Sequence, residues 1–151
     1  FYKGFGSTSG SMLFGSQSFI KEAKLWLRRF GGNLYQLYPL VIPAKMQFDK
    51  NRSNFSKWNK KASEIGKILV EDFNIQVLPY PTKTNMLHMY LPIGSKDLRK
   101  KLTTYNGINI GMGVWEENEV GHSRVELNIG NASLELSDIE IKDIFKEILH
   151  N

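Results

Sequence analysis

A lysine stands near the start of the chain within a run of glycines and hydroxyl side chains. Lys3 is followed by Gly4 and Gly6, and Gly10 closes the run. A lysine amine can attack an aldehyde as a nucleophile if its pKa, ordinarily about 10.4, is lowered by burial or by nearby positive charge. Glycines beside it let the backbone approach a bulky planar group, because they lack Cβ and accept positive φ. The segment is therefore a candidate attachment site for a planar aldehyde, and the alternative is a lysine that simply reaches into solvent.

Other kinds of reactive site have little support in the sequence. The chain has no cysteine, which excludes disulfides, thiolate metal sites and cysteine nucleophiles. His88, His122 and His150 stand far apart without the spacing of paired ligands on a helix or strand, so we predict no metal site.

Composition is that of an ordinary globular protein. With 151 residues and 41% hydrophobic content, the chain can form one core or one domain with an appendage. The net charge of +5 is dispersed over the polar faces of predicted helices, and we therefore expect no nucleic-acid partner. Apolar runs fall short of the roughly 20 residues of a membrane span, and with the lack of cysteine we expect a cytoplasmic protein.

The first third of the chain predicts a strand and helices. A short apolar run at 11–14 is typical of a strand. Apolar residues at helical spacing predict a helix from about Phe19 to Phe30, with Ser16 or Ser18 as N-cap and Gly31 as the C-terminal stop.

A proline-containing segment and a polar segment follow. Residues 34–48 favour a helix, but Pro39 and Pro43 each remove a backbone donor, so we expect a kinked helix or two short ones. Residues 49–54 are predicted to be a linker.

The remainder predicts an α+β arrangement. Its helices are expected from Phe55 for about 18 residues up to Asn74, from Ser95, and after a capping box formed by Ser137 and Glu140. Strands are predicted at 75–78, 86–91, 108–112 and 123–129. The order of these elements suits a small, largely antiparallel sheet covered by helices on one face.

Taken together, the opening segment resembles a known family. The lysine, the spaced glycines up to Gly15, the following helix and the Gly31-Gly32 pair resemble the Schiff-base lysine segment of fold type I pyridoxal-phosphate enzymes, in particular the threonine aldolase and β-eliminating lyase family. The resemblance covers residues 1–36 and a stretch around Arg124. It implies that residues 1–50 are the end of the cofactor-binding large domain with its connecting helix, and that 51–151 are the small C-terminal domain.

The resemblance also implies roles for three residues. Lys3 would carry pyridoxal 5'-phosphate, and Arg124 would bind the carboxylate of a small amino-acid substrate through its planar guanidinium. Arg28 would meet the cofactor phosphate or the substrate. For Arg124 the alternative is an outward cross-strand charge paired with Glu126 or another acid, and for Arg28 it is a charge that complements the helix dipole.

The implied reaction is the cleavage of a β-hydroxy-α-amino acid to glycine and an aldehyde. Asn33 and Tyr35 depart from the pattern of characteristic threonine aldolases, so β-elimination or transamination is left open. We further expect a homodimer or homotetramer, with much of the active site in a preceding large domain and no activity in this chain alone. A non-catalytic α+β interaction module is the alternative of a different class.

Overall fold

The computed structural model describes residues 1–102, 112–116 and 121–150, except for the side chains of Glu116 and His150. The chain divides into two compact units, Phe1–Ser53 and Asn54–Asn151. The sequence placed the boundary after residue 50, slightly earlier than the division between the units.

The first unit contains an irregular N-terminal loop and two helices, α1 (Gln17–Arg29) and α2 (Tyr38–Asn51). Helix α1 has the predicted caps. The Oγ of Ser16 accepts a hydrogen bond from the amide of Phe19 at 3.3 Å. Gly31 has a φ of 75°, a conformation that glycine adopts without steric cost, and its amide donates to the carbonyl of Arg28 at 3.1 Å.

The prediction of a strand at 11–14 is wrong, because these residues have no regular secondary structure. A strand is defined by pairing with a neighbour, and no segment among the described residues pairs with this one. Its apolar side chains Met12, Leu13 and Phe14 are exposed.

Helix α2 is one helix rather than two, and it extends into the predicted linker. Pro39 lies in its first turn, where a missing N–H costs nothing, and Pro43 lies inside it. The helix continues to Asn51, whose side-chain amide donates to the carbonyl of Phe5 at 3.0 Å and to Gln47 at 3.1 Å. These contacts explain why polar residues of the predicted linker remain helical.

The second unit is the expected α+β fold. Its helices are α3 (Phe55–Phe73), α4 (Ser95–Leu102), α5 (Asn131–Leu134) and α6 (Asp138–His150), and its strands are β1 (Gln76–Leu78), β2 (Met86–Leu91), β3 (Met112–Glu116) and β4 (Ser123–Asn128). The strands form one sheet in the order β1-β2-β4-β3, with every pairing antiparallel. Helix α5 was not predicted, whereas the other helices were.

Alternate strand residues and the apolar stripes of the helices form one core. Leu87, Met89 and Val125 are fully buried within it, together with Leu69 of α3 and Leu98 of α4. The side chains between them on β2 and β4 point to the opposite face of the sheet and are partly exposed. One face of the sheet therefore packs against the core, and the other face is accessible.

The start of α6 and the end of α3 agree with signals in the sequence. The amide of Ser137 donates to Oε2 of Glu140 at 2.8 Å, and the amide of Glu140 donates to Oγ of Ser137 at 3.3 Å, which confirms the predicted capping box. Asn74 ends α3 in the left-handed conformation, with a φ of 52°.

Part of the predicted β3 region cannot be compared with the structure. The predicted strand at 108–112 falls mainly on residues 103–111, which lie outside the described residues. The observed strand starts at Met112. Among the described residues, none of the helices has the length and hydropathy required to cross a membrane.

Candidate functional site

The N-terminal loop that carries Lys3 folds back on itself. The carbonyl of Lys3 accepts a hydrogen bond from the amide of Gly6 at 3.1 Å, and the amide of Ser7 donates to the carbonyl of Phe1 at 3.1 Å. Gly6 has a φ of 73°, which is strained for residues with a side chain and is accessible to glycine. Lys3 therefore lies at the start of a tight turn that depends on this glycine.

Aromatic residues anchor the loop and leave Lys3 outside. The rings of Phe1 and Phe5 are 5.4 Å apart, and that of Phe5 is 5.1 Å from Phe48 on α2. Phe1 and Phe5, which flank Lys3 in the sequence, pack against Phe48 and do not cover the lysine. The Lys3 side chain is exposed, and it makes no hydrogen bond or ion pair with the residues that the structure describes.

The turn that begins at Lys3 is open at Gly6. A Cβ atom built on Gly6 would meet no atom within 4 Å, so there is open space beside the turn. The described residues do not bury the amine, however.

Arg28 lies on α1 in the same unit as Lys3. It is exposed in the last turn of the helix, where a positive charge complements the helix dipole. Its neighbour Arg29 places its guanidinium 4.8 Å from the centre of the Trp26 ring. Among the described residues, no hydrogen bond joins Arg28 to Lys3, and both interpretations of Arg28 fit its position.

Arg124 lies on β4 in the second unit, on the accessible face of the sheet. Its neighbours Ser123 and Val125 are buried, so alternation directs the Arg124 side chain away from the core. Its cross-strand partners are Tyr90 on β2 and Trp115 on β3. The Arg124 guanidinium carbon is 5.6 Å from the centre of the Trp115 ring.

A histidine and a carboxylate next to Arg124 were not identified as site residues from the sequence. Nε2 of His88 lies 3.2 Å from Oε2 of Glu126, its cross-strand partner. The other oxygen of Glu126 accepts a hydrogen bond from the side-chain amide of Asn128 at 2.8 Å. Alternation in β2 and β4 could have placed these side chains on the same face as Arg124, but the register between the two strands could not be inferred from the sequence.

Trp115 contacts two members of this group, Arg124 and His88. Its ring is 6.3 Å from that of His88, with an angle of 85° between the two planes. A Cβ atom on Gly113 would lie 2.9 Å from Cη2 of Trp115, so the indole extends across the glycine. We use the term open-face cluster for Arg124, Trp115, His88 and Glu126.

The open-face cluster suits recognition of an anionic group. A guanidinium that is partly exposed beside an aromatic ring can donate two parallel hydrogen bonds to a carboxylate. His122 is exposed in the loop before β4. Within the described part of the chain, no group of three or more histidine, aspartate and glutamate residues could hold a metal ion.

Two curated relatives are threonine aldolases by name. The chain is 33% identical over 100 residues to low-specificity L-threonine aldolase 1 from Arabidopsis thaliana, an alignment that covers 66% of the chain and 28% of that protein. It is 24% identical over 157 residues to a protein assigned as low-specificity L-threonine aldolase 2 from the same plant, covering 99% of the chain and 41% of the relative. No protein-family model matches the chain.

Two solved structures are similar over 99% of the chain. One, assigned as an L-allo-threonine aldolase from Listeria monocytogenes, has a TM-score of 0.79 and 25% identity. The other, assigned as an aromatic amino acid β-eliminating lyase/threonine aldolase from Exiguobacterium sp. 255-15, has a TM-score of 0.73 and 24% identity. The chain spans less than half the length of each of these relatives and structures. By these similarities in sequence and fold, the chain matches members of the threonine aldolase and β-eliminating lyase family.

Proposed function

We propose that this chain forms part of a pyridoxal-phosphate-dependent lyase that cleaves a β-hydroxy-α-amino acid to glycine and an aldehyde. The observation that carries the proposal is an exposed lysine at a glycine turn, Lys3, in a chain whose relatives are named threonine aldolases. The solved structure named for L-allo-threonine aldolase supports the same reaction class.

Lys3 would hold the cofactor through its side-chain amine. The amine is accessible, and the space beside Gly6 accepts a flat ring without collision with the turn. Bound pyridoxal phosphate supplies an electron sink for the charge left when a bond to the substrate Cα breaks. The free Lys3 amine would accept or return a proton at the substrate carbons.

Arg124 would bind the substrate carboxylate and so orient the amino acid. It is fixed on β4, between β2 and β3 in the sheet, and therefore has a rigid backbone position. Its guanidinium lies on the accessible face of that sheet, where it can donate two hydrogen bonds. Arg28, in the last turn of α1, would contact the cofactor phosphate or border the site.

The complete enzyme would include residues beyond this chain. We assign residues 1–50 to the end of its large domain and 51–151 to its small domain. Because the chain spans 42% of the solved structures it resembles, most of the cofactor pocket would lie in the rest of the protein. The chain alone is then expected to be inactive, and the full enzyme to be a cytoplasmic homodimer or homotetramer.

β-Elimination is the second candidate reaction. It is supported by the name of the Exiguobacterium structure. Asn33 and Tyr35 depart from the threonine aldolase pattern at the residues after Gly32 and so leave the reaction open. The same lysine and arginine would serve both reactions, because each reaction breaks a bond to the substrate Cα.

The test is product analysis with the full-length protein. Purified enzyme supplied with pyridoxal phosphate is incubated with L-threonine and L-allo-threonine, and glycine and acetaldehyde are quantified. We expect both products in equal amounts, loss of activity in Lys3→Ala, and retention in Lys96→Ala, which removes an exposed lysine from α4. Release of ammonia and a keto acid in place of glycine would support β-elimination, and an active Lys3→Ala enzyme would refute the proposal.

A further inference from the structure

We propose that Trp115 is a positioning residue that holds the Arg124 guanidinium in place for the substrate carboxylate. The inference rests on the proposed function, because it assigns to Trp115 the task of preparing the carboxylate site. Trp115 itself would act through Arg124 rather than on the reacting atoms.

The register of the sheet places Trp115 next to Arg124. Trp115 on β3 and Arg124 on β4 are directly opposite each other on the same face. The guanidinium carbon is 5.6 Å from the ring centre, within the range of about 6 Å over which a cation is attracted to an aromatic face. The indole therefore favours a restricted set of conformations for a long side chain that has many rotamers.

The Trp115 indole is itself restrained by its neighbours. It extends across Gly113, where a Cβ would come within 2.9 Å of its far edge, so the missing side chain provides the space for this orientation. The ring of His88 approaches the indole edge-on at 6.3 Å. These contacts occupy two sides of the indole, and its exposed fraction is 40%.

The His88 ring is in turn held by a hydrogen bond to Glu126. Its Nε2 is 3.2 Å from Glu126, an acid that also accepts a hydrogen bond from Asn128. A carboxylate is an acceptor only, so the imidazole nitrogen is the donor in this contact. Glu126 on β4 thus holds His88 on β2, and His88 contacts Trp115 on β3. Trp115 in turn contacts Arg124 on β4.

A guanidinium that is already ordered loses less conformational entropy when it binds a carboxylate. The effect applies equally to bound substrate and to the transition state, so it lowers KM and leaves kcat nearly unchanged. A cation–aromatic contact at a partly exposed site corresponds to a change of about two- to fivefold in affinity.

The experiment compares variants of the full-length holoenzyme. We expect Trp115→Leu to raise KM for the amino-acid substrate, and the dissociation constant of the product glycine, by about two- to fivefold. Trp115→Phe should restore most of the affinity, because it keeps an aromatic face. Gly113→Ala should weaken binding in the same direction by displacing the indole. Gly94→Ala is the matched control, since its added methyl has room.

Arg124→Ala separates failure of this inference from failure of the proposed function. If Arg124→Ala leaves KM and glycine binding unchanged, Arg124 does not bind the carboxylate and both proposals fall. If Arg124→Ala weakens binding but Trp115→Leu does not, only the inference about Trp115 is overturned. An equal effect of Trp115→Leu in the wild-type and Arg124→Ala backgrounds would also overturn it, because a positioning residue has no effect once the residue it positions is gone.

Discussion

Two isoleucines on helix α6 provide a sharp test of which face of this helix packs into the core. Ile141 is 2% exposed and belongs to the core, whereas Ile139, two residues earlier, is 72% exposed. Replacement of either by alanine removes the same three carbons and changes helix propensity equally. Any difference in stability between the two variants therefore reports burial.

The expected magnitude follows from the atoms removed. Burial stabilises by about 0.8 kcal/mol per methylene, and a residual cavity adds to the cost, so we expect Ile141→Ala to lower the free energy of unfolding by about 3 kcal/mol. Ile139→Ala should stay within about 0.5 kcal/mol of the wild type, as is usual for an exposed position.

Urea unfolding of the 151-residue chain, followed by circular dichroism, measures both changes. The fitted m-value shows whether the unfolding transition keeps its cooperativity in each variant. Similar losses in the two variants, or a larger loss for Ile139→Ala, would mean that α6 presents a different face to the core, and would refute the described burial of Ile141.

Two further predictions concern helix ends. Asn74 has a φ of 52° at the end of α3, so Asn74→Val should lower the free energy of unfolding by about 1–2 kcal/mol, whereas Asn74→Gly should not destabilise; urea unfolding compares them. Hydrogen bonds from the hydroxyl and amide of Ser137 lower the pKa of Glu140 below its ordinary value of 4.5. The ionised carboxylate therefore stabilises the fold above that pH. The stability advantage of the wild type over Glu140→Gln should shrink as the pH falls below 4.5. An advantage that does not change with pH would contradict this.

Local signals in the sequence predicted most of the helices. Helices α3 and α6 combine an apolar stripe with a defined end, namely Asn74 after α3 and the Ser137–Glu140 box before α6. Such signals depend on residues three or four positions apart, and they can be recognised without knowledge of the rest of the fold.

The two errors in the first unit arose from contacts distant in sequence. The segment at 11–14 has the composition of a strand, but strand formation requires a partner, and composition does not show whether one is available. The polar end of α2 was predicted to be a linker, yet Asn51 is bound to the carbonyl of Phe5, 46 residues earlier. An ion pair between Lys45 and Asp49 within the helix also favours its last turns, and it lowers the pKa of Asp49.

The candidate site was predicted only in part for the same reason. Lys3 and Arg124 were named as candidates from the resemblance to a known family. The contribution of Trp115, His88 and Glu126 depends on the register of β2, β4 and β3, which the alternation of each strand does not determine. The orientation of Arg124 likewise became clear only from the burial of Ser123 and Val125.

The most direct test of the central claim is to identify the lysine that holds the cofactor. The full-length protein is loaded with pyridoxal phosphate, reduced with borohydride, digested and analysed by mass spectrometry. We predict a pyridoxyl adduct on the peptide that contains Lys3, and no adduct at this site in Lys3→Ala. An adduct on a different lysine of the wild-type protein, or no covalent adduct at all, would contradict the account.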